Sequence, residues 1–169
     1  MMKMTTIILI LTATSTALVA GLFYSYSCSV NIGLGKLPDE GYLAAMQSIN
    51  RAILNPMFFA TFIGTLLLLP ASTWLQYYNG NSKCFLFLLA ATLIYAVGVF
   101  GVTIFGNVPL NEALDKFSLN SSSAEDIKRH REMFEIPWNR LHTIRTLANI
   151  VSLVLVILAC IYSSSSNDL

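Results

Sequence analysis

Four long apolar stretches limit what this chain can become: TTIILILTATSTALVAGLFYSYSCSV from Thr5, NPMFFATFIGTLLLLPASTWLQYY from Asn55, CFLFLLAATLIYAVGVFGVTIFG from Cys84 and LANIVSLVLVILACIYS from Leu147. Each approaches or exceeds the roughly 20 residues that cross about 30 Å of hydrocarbon, the last only when its polar start is included. Backbone facing lipid must satisfy its own hydrogen bonds, so such spans are helices. The expectation is an all-α, integral membrane four-helix bundle, a single transmembrane domain over 1–169 with spans at about 5–30, 55–78, 84–106 and 138–162. With 55% hydrophobic and 11% charged residues, the chain lies outside the range of ordinary soluble domains.

The first stretch has features of a secretory leader, since Lys3 precedes an apolar run and Ser15–Thr16–Ala17 could serve as a cleavage site. The run continues through Phe23, Tyr24 and Val30, beyond the length of a leader's apolar region, and is read as a span. A formal net charge of +1 offers nothing to nucleic acid, so no nucleic-acid partner is expected. Cys28, Cys84 and Cys160 are widely separated and odd in number, with neither a CxxC pair nor metal-ligand spacing, and are read as packing residues.

The connections carry their own signals. After Gly35, Tyr42, Leu43, Met46, Ile49 and Ile53 recur on one helical face and Gln47, Asn50, Arg51 and Asn55 on another, which predicts a short interfacial helix leading to Pro56 at the start of span two. Asn79–Gly80 marks a tight turn before span three, and Trp74, Tyr77 and Tyr78 suit an interfacial belt. In the last connection, Ser123 followed by Asp126 predicts a capped, solvated helix over 124–135, ended by Pro137, with His130 facing water. Gly21, Gly64, Gly98 and Gly101 are read as points of close helix approach. An up-down path puts both termini on one side with Lys3 and Lys83, and the other eight basic residues opposite, so the positive-inside rule places the termini outside the cytoplasm.

The polar start of the fourth span is the main functional signal. Trp138, His142, Arg145 and Asn149 are spaced four, three and four apart, a stripe about 16 Å long on one helix face. A membrane boundary would scatter polar groups around the helix instead. At the same end, Asn107 and Asn111 flank Pro109, which is expected to interrupt span three, and Asn50, Arg51 and Asn55 precede span two. These groups either act as interhelical hydrogen-bond glue and snorkelling ends, or converge on one polar pocket. A histidine there can accept a proton from a weak acid and an arginine can hold the resulting anion, while asparagine amides orient a carbonyl or phenol. No second histidine or carboxylate stands at ligand spacing, so no metal site is expected.

The segments MQSINRAILNPMFF, GNVPLNEAL and WNRLHTIRTLANIVS resemble motifs of the anthrone oxygenase-like family, small four-helix membrane proteins long catalogued as a domain of unknown function. The resemblance runs from about Gly21 to Ala159. It implies oxidation of an anthrone-like or polyphenolic substrate by dioxygen as co-substrate, without a tightly bound cofactor. Carried onto these residues, it implies His142 as base, Arg145 with Asn107 or Asn111 as anion or carbonyl binders, and Trp138 as a pocket wall. Asn50, Asn55 and Asn149 complete the candidate binding set. The expected partners are a small apolar or aromatic substrate and membrane lipid. The alternative is a non-enzymatic membrane protein whose polar mouth binds a lipid head group or a partner.

Overall fold

The computed structural model describes residues 4–165, and every regular element among them is helical. Four helices are long and apolar enough to span a bilayer. They are α1 (Met4–Leu34), α3 (Pro56–Tyr78), α4 (Ser82–Asp115) and α5 (Ala124–Ser165), with a shorter α2 (Asp39–Ala52) between the first two. The spans close into a ring in which α1 packs on α3 and α5, and α4 packs on α3 and α5. Lys3, one of the two basic residues assigned to the side of the termini, lies outside the described residues.

Lipid is as apolar as a leucine side chain, so burial alone does not hold such helices together; close packing and polar contacts must. Between α1 and α3, Thr12 Oγ1 lies 2.7 Å from Ser72 Oγ, and Ser15 Oγ lies 2.8 Å from Thr65 Oγ1. Tyr95 donates its hydroxyl to the Phe62 carbonyl at 2.9 Å, joining α4 to α3 through a core that includes Leu88, Val99 and Val156. Gly98 lets α5 approach α4, because a Cβ there would lie 2.7 Å from the Ala148 methyl. Gly21 has open space instead and is not an approach point.

Two expected helix ends are absent. Pro137 lies inside α5, which runs without a break from Ala124, so no separate helix ends at residue 135. Pro109 likewise fails to end α4. The helix widens into π-helical turns at Tyr95–Gly101 and Thr103–Asn107 and then continues to Asp115. A proline ring clashes with the carbonyl four residues back and has no N–H to give. A widened turn just before Pro109 changes that register, which is how the helix carries on.

At the ends, Asn55 caps α3 by accepting from Phe58 N at 3.0 Å, and Gly80 makes the turn to α4 at a φ of 73°. Ser123 accepts from Asp126 N at 3.2 Å, while the Asp126 carboxylate returns to the Ser123 hydroxyl. His130 is not simply solvated: its ring stacks on Phe117 at a centroid distance of 3.6 Å. Helix α2 buries Tyr42, Leu43 and Met46 against Leu114, Phe134 and Trp138, so it lies over one end of the bundle.

Candidate functional site

Under α2 lies a cavity of about 770 Å³ with mostly apolar walls, within the range of small-molecule sites. Helix α5 contributes Trp138, His142 and Arg145, the first three members of the polar stripe. Asn111 enters from the last turns of α4, and Asn50 and Asn55 from the junction of α2 and α3. Asn107 and Asn149 are fully buried but do not line the cavity. The Asn107 amide donates to the Trp138 carbonyl at 3.4 Å, and neither amide atom of Asn149 has a protein partner among the described residues. Asn55 reaches the cavity wall with its side chain already engaged, its carbonyl capping α3 and its amide donating to Ala52 O at 2.8 Å. Arg51 stands at the rim, paired with Asp115 at 2.6 Å.

His142, only 1% exposed, is surrounded by rings. Trp138 lies nearly parallel to it at 5.1 Å, and Phe23 and Tyr26 approach edge-on at 5.8 and 5.4 Å. Its Nε2 faces α1, 2.9 Å from Ser27 Oγ and 3.2 Å from the Phe23 carbonyl. Its Nδ1 faces Arg145, with Nε at 3.2 Å and Nη2 at 3.1 Å. A carbonyl only accepts and a guanidinium only donates, so the network assigns the imidazole as the neutral Nε2–H tautomer with its lone pair on Nδ1.

Arg145 is 9% exposed and has no carboxylate within ion-pair distance among the described residues. Its guanidinium lies 4.4 Å from the Phe23 ring centre and 5.2 Å from that of Trp138. Aromatic faces attract a cation without neutralising it. The result is a positive charge in a cavity wall, between aromatic surfaces and next to a neutral imidazole. An aromatic molecule carrying a negative or strongly polarised oxygen fits that setting.

Phe23, Tyr26 and Ser27 were not among the residues expected from sequence to form the site. They sit where α1 widens into a π-helical turn, Tyr26–Val30, a distortion found often at functional positions. The one sequence signal for them is the polar run Tyr24–Ser29 inside an otherwise apolar span.

Four bilayer-length apolar helices define a helical membrane protein, and the partly open cavity at one end of its bundle has a buried cation in its wall. The chain belongs to the anthrone oxygenase family, which it matches over residues 55–155. That stretch holds His142, Arg145, Trp138 and the asparagines from Asn55 onward, whereas the α1 residues that hold His142 lie before it. Comparisons with curated proteins and with solved structures gave no significant match.

Proposed function

We propose that this protein is a membrane oxidoreductase that oxidises an anthrone-like or other electron-rich phenolic substrate with dioxygen, as an internal monooxygenase. The supporting observation is the buried Arg145 guanidinium, without a carboxylate partner among the described residues, sharing a cavity wall with the Nδ1 lone pair of His142. In this reading the substrate oxygen binds Arg145, Trp138 and Phe23 flank its ring system, and Asn111 and Asn50 orient its polar edge. Asn55 and Asn107 support the surrounding helices through their backbone partners.

His142 removes the acidic proton, and the electron pair spreads onto the oxygen held by Arg145. The carbanion character at the reacting carbon then reduces dioxygen and combines with it to give a peroxide anion, which takes a proton from the imidazolium. Loss of the remaining C–H proton breaks the O–O bond, leaving a carbonyl and water. One CH2 and one O2 are consumed for each C=O and H2O formed. The substrate supplies all the electrons, so this reaction needs no tightly bound cofactor.

The same reading places one transmembrane domain in the membrane with both termini on one side, and brings the apolar substrate in from surrounding lipid. The test is oxygen uptake with an anthrone in detergent, together with the absorbance of the quinone. The parent protein accelerates uptake above the spontaneous rate, and His142→Ala lowers kcat/KM on the order of 100-fold or more, the scale of a lost general base. No acceleration by the parent across a panel of anthrones and polyhydroxylated aromatics would falsify the oxygenase reading.

A second reading rests on the same guanidinium with Lys116 at the cavity lining: an anionic lipid head group bound without turnover. Stoichiometric anionic lipid in the purified protein, lost in Arg145→Met and accompanied by no oxygen uptake, supports it instead.

A further inference from the structure

His142 has a single lone pair available for acid–base work, and Arg145 covers it. Nε2 is committed to α1, where its N–H points at Ser27 Oγ and the Phe23 carbonyl, while the Ser27 hydroxyl itself donates to that carbonyl at 3.1 Å. The opposite nitrogen meets two guanidinium N–H groups at 3.2 and 3.1 Å. A proton placed on Nδ1 in this arrangement would point at those N–H groups. The imidazole therefore cannot act as a base while the guanidinium stays where it is.

The contact is also poorly matched from the arginine's side. Two donors converge on one nitrogen lone pair, although a guanidinium edge is shaped to serve two acceptor sites at once. An ionised oxygen offers more lone pairs, and its charge-assisted hydrogen bonds are roughly twice as strong as neutral ones. The cavity lies against both Arg145 and His142, so an oxygen entering it can compete for the same donors.

We propose that Arg145 is a removable cap on His142: an aromatic oxyanion bound in the cavity draws the guanidinium to itself and exposes Nδ1 as the base. Binding and base activation are thereby one event. Once uncovered, Nδ1 takes a proton from a second C–H or O–H of the ligand, and the electron pair remains on the atom that lost it and the ring system conjugated with it, while the oxyanion stays on Arg145. Nε2–H keeps donating to α1 throughout, so the resulting imidazolium stays anchored. This rests on the oxygenase reading only for what the base does next.

The experiment is nitrogen-15 spectroscopy of the full chain, histidine-labelled, free of any polyhistidine tag, with 4-nitrophenolate as the probe. The protein has two histidines, so His130→Gln leaves His142 as the only labelled ring. The free protein shows a neutral Nε2–H tautomer with a hydrogen-bonded Nδ1. Saturating 4-nitrophenolate moves the Nδ1 resonance downfield, toward that of an uncovered lone pair, and leaves Nε2 nearly unmoved. In Arg145→Met the Nδ1 resonance already stands downfield without the probe.

An Nδ1–H tautomer in the free protein overturns the proposal, as does an Nδ1 resonance unchanged at saturation, or no binding of the phenolate at all. The parent titration decides by itself should Arg145→Met fail to fold. Absence of oxygen uptake sinks the oxygenase reading and leaves this titration untouched, so the two failures are separable.

Discussion

The indole N–H of Trp138 donates to Asn111 Oδ1 across 2.8 Å, linking the buried wall of the cavity to the last turns of α4. That bond fixes the indole plane, and the plane is what Trp138 presents to His142, nearly parallel at 5.1 Å. Orienting the aromatic wall is thus a role for Asn111 apart from contact with any ligand.

Asn111→Leu leaves the indole N–H without its acceptor, at a cost of about 1–3 kcal/mol. The expected outcome is a lower Tm in detergent and a shift of Trp138 emission, read in a Trp74→Phe background because the chain has two tryptophans. Asn111→Asp keeps an acceptor and should keep the parent emission. Equal spectra for the leucine variant and the parent would show that packing alone orients the indole.

Gly98 is a place where α4 and α5 come close for want of a side chain. A Cβ there would stand 2.7 Å from the Ala148 methyl, and neither methyl can rotate away. Gly98→Ala should destabilise by about 1–3 kcal/mol, the usual cost of overpacking. Adding Ala148→Gly should recover most of the loss, whereas Gly21→Ala, with open space around it, should leave Tm unchanged. A Gly98→Ala protein as stable as the parent would mean that the two helices separate at no cost.

The spans were readable because lipid imposes a length and an apolar composition that few other folds share. The stripe on α5 was readable for an equally local reason, since residues four, three and four apart must share a helix face, and three of its four members reach the cavity. The prolines misled because local rules treat Pro109 and Pro137 as helix ends. Long transmembrane helices tolerate them when wider turns and neighbouring helices compensate. The other half of the His142 site left only the polar run Tyr24–Ser29 as a trace in the sequence, with nothing to link it to the imidazole. Ser27 and the Phe23 carbonyl meet the imidazole across more than a hundred residues of chain, and a backbone carbonyl leaves no mark in the sequence.

Asn149 illustrates the same limit. It continues the polar stripe, yet it lies one turn past the cavity with neither amide atom bonded to the protein among the described residues. Its amide therefore does not join helices by direct hydrogen bonds. Asn149→Leu, similar in volume and without polar atoms to satisfy, should leave Tm equal or higher and oxygen uptake within about twofold of the parent. A marked fall in Tm would show that the amide makes a stabilising bond inside the bundle.

At the far end of the cavity's cover, Arg131 clasps the α1–α2 connection to α5. Its guanidinium donates to the carbonyls of Leu37 at 2.8 Å and Gly35 at 3.1 Å, and pairs with Asp39 and Glu135 at 3.0 and 2.7 Å. Few side chains can serve four oxygens in one plane, and lysine is not among them. Arg131→Lys should therefore lose nearly as much stability as Arg131→Ala, about 2 kcal/mol, on the scale of one charge-assisted hydrogen bond. Faster amide hydrogen exchange over residues 35–42 in both variants is the local signature, and full protection in the lysine variant would reduce the clasp to simple charge.

Burial beside the clasp also sets a pH dependence. Burial first, then the Glu135 carboxylate, pushes the Tyr42 phenol well above the ordinary tyrosine range, against the opposing pull of Arg131, 4.4 Å from the ring centre. The folded state thus holds the phenol neutral, while the unfolded chain ionises it near about pH 10. Unfolding then releases a proton above that pH, so Tyr42's contribution is intact below it and declines as pH rises further toward the folded value. Stability measured from pH 8 to 11 should fall more steeply above about pH 10 in the parent than in Tyr42→Phe. Parallel curves would mean that Tyr42 ionises as readily in the folded protein as in the unfolded chain, and that α2 does not seal this end of the bundle against water.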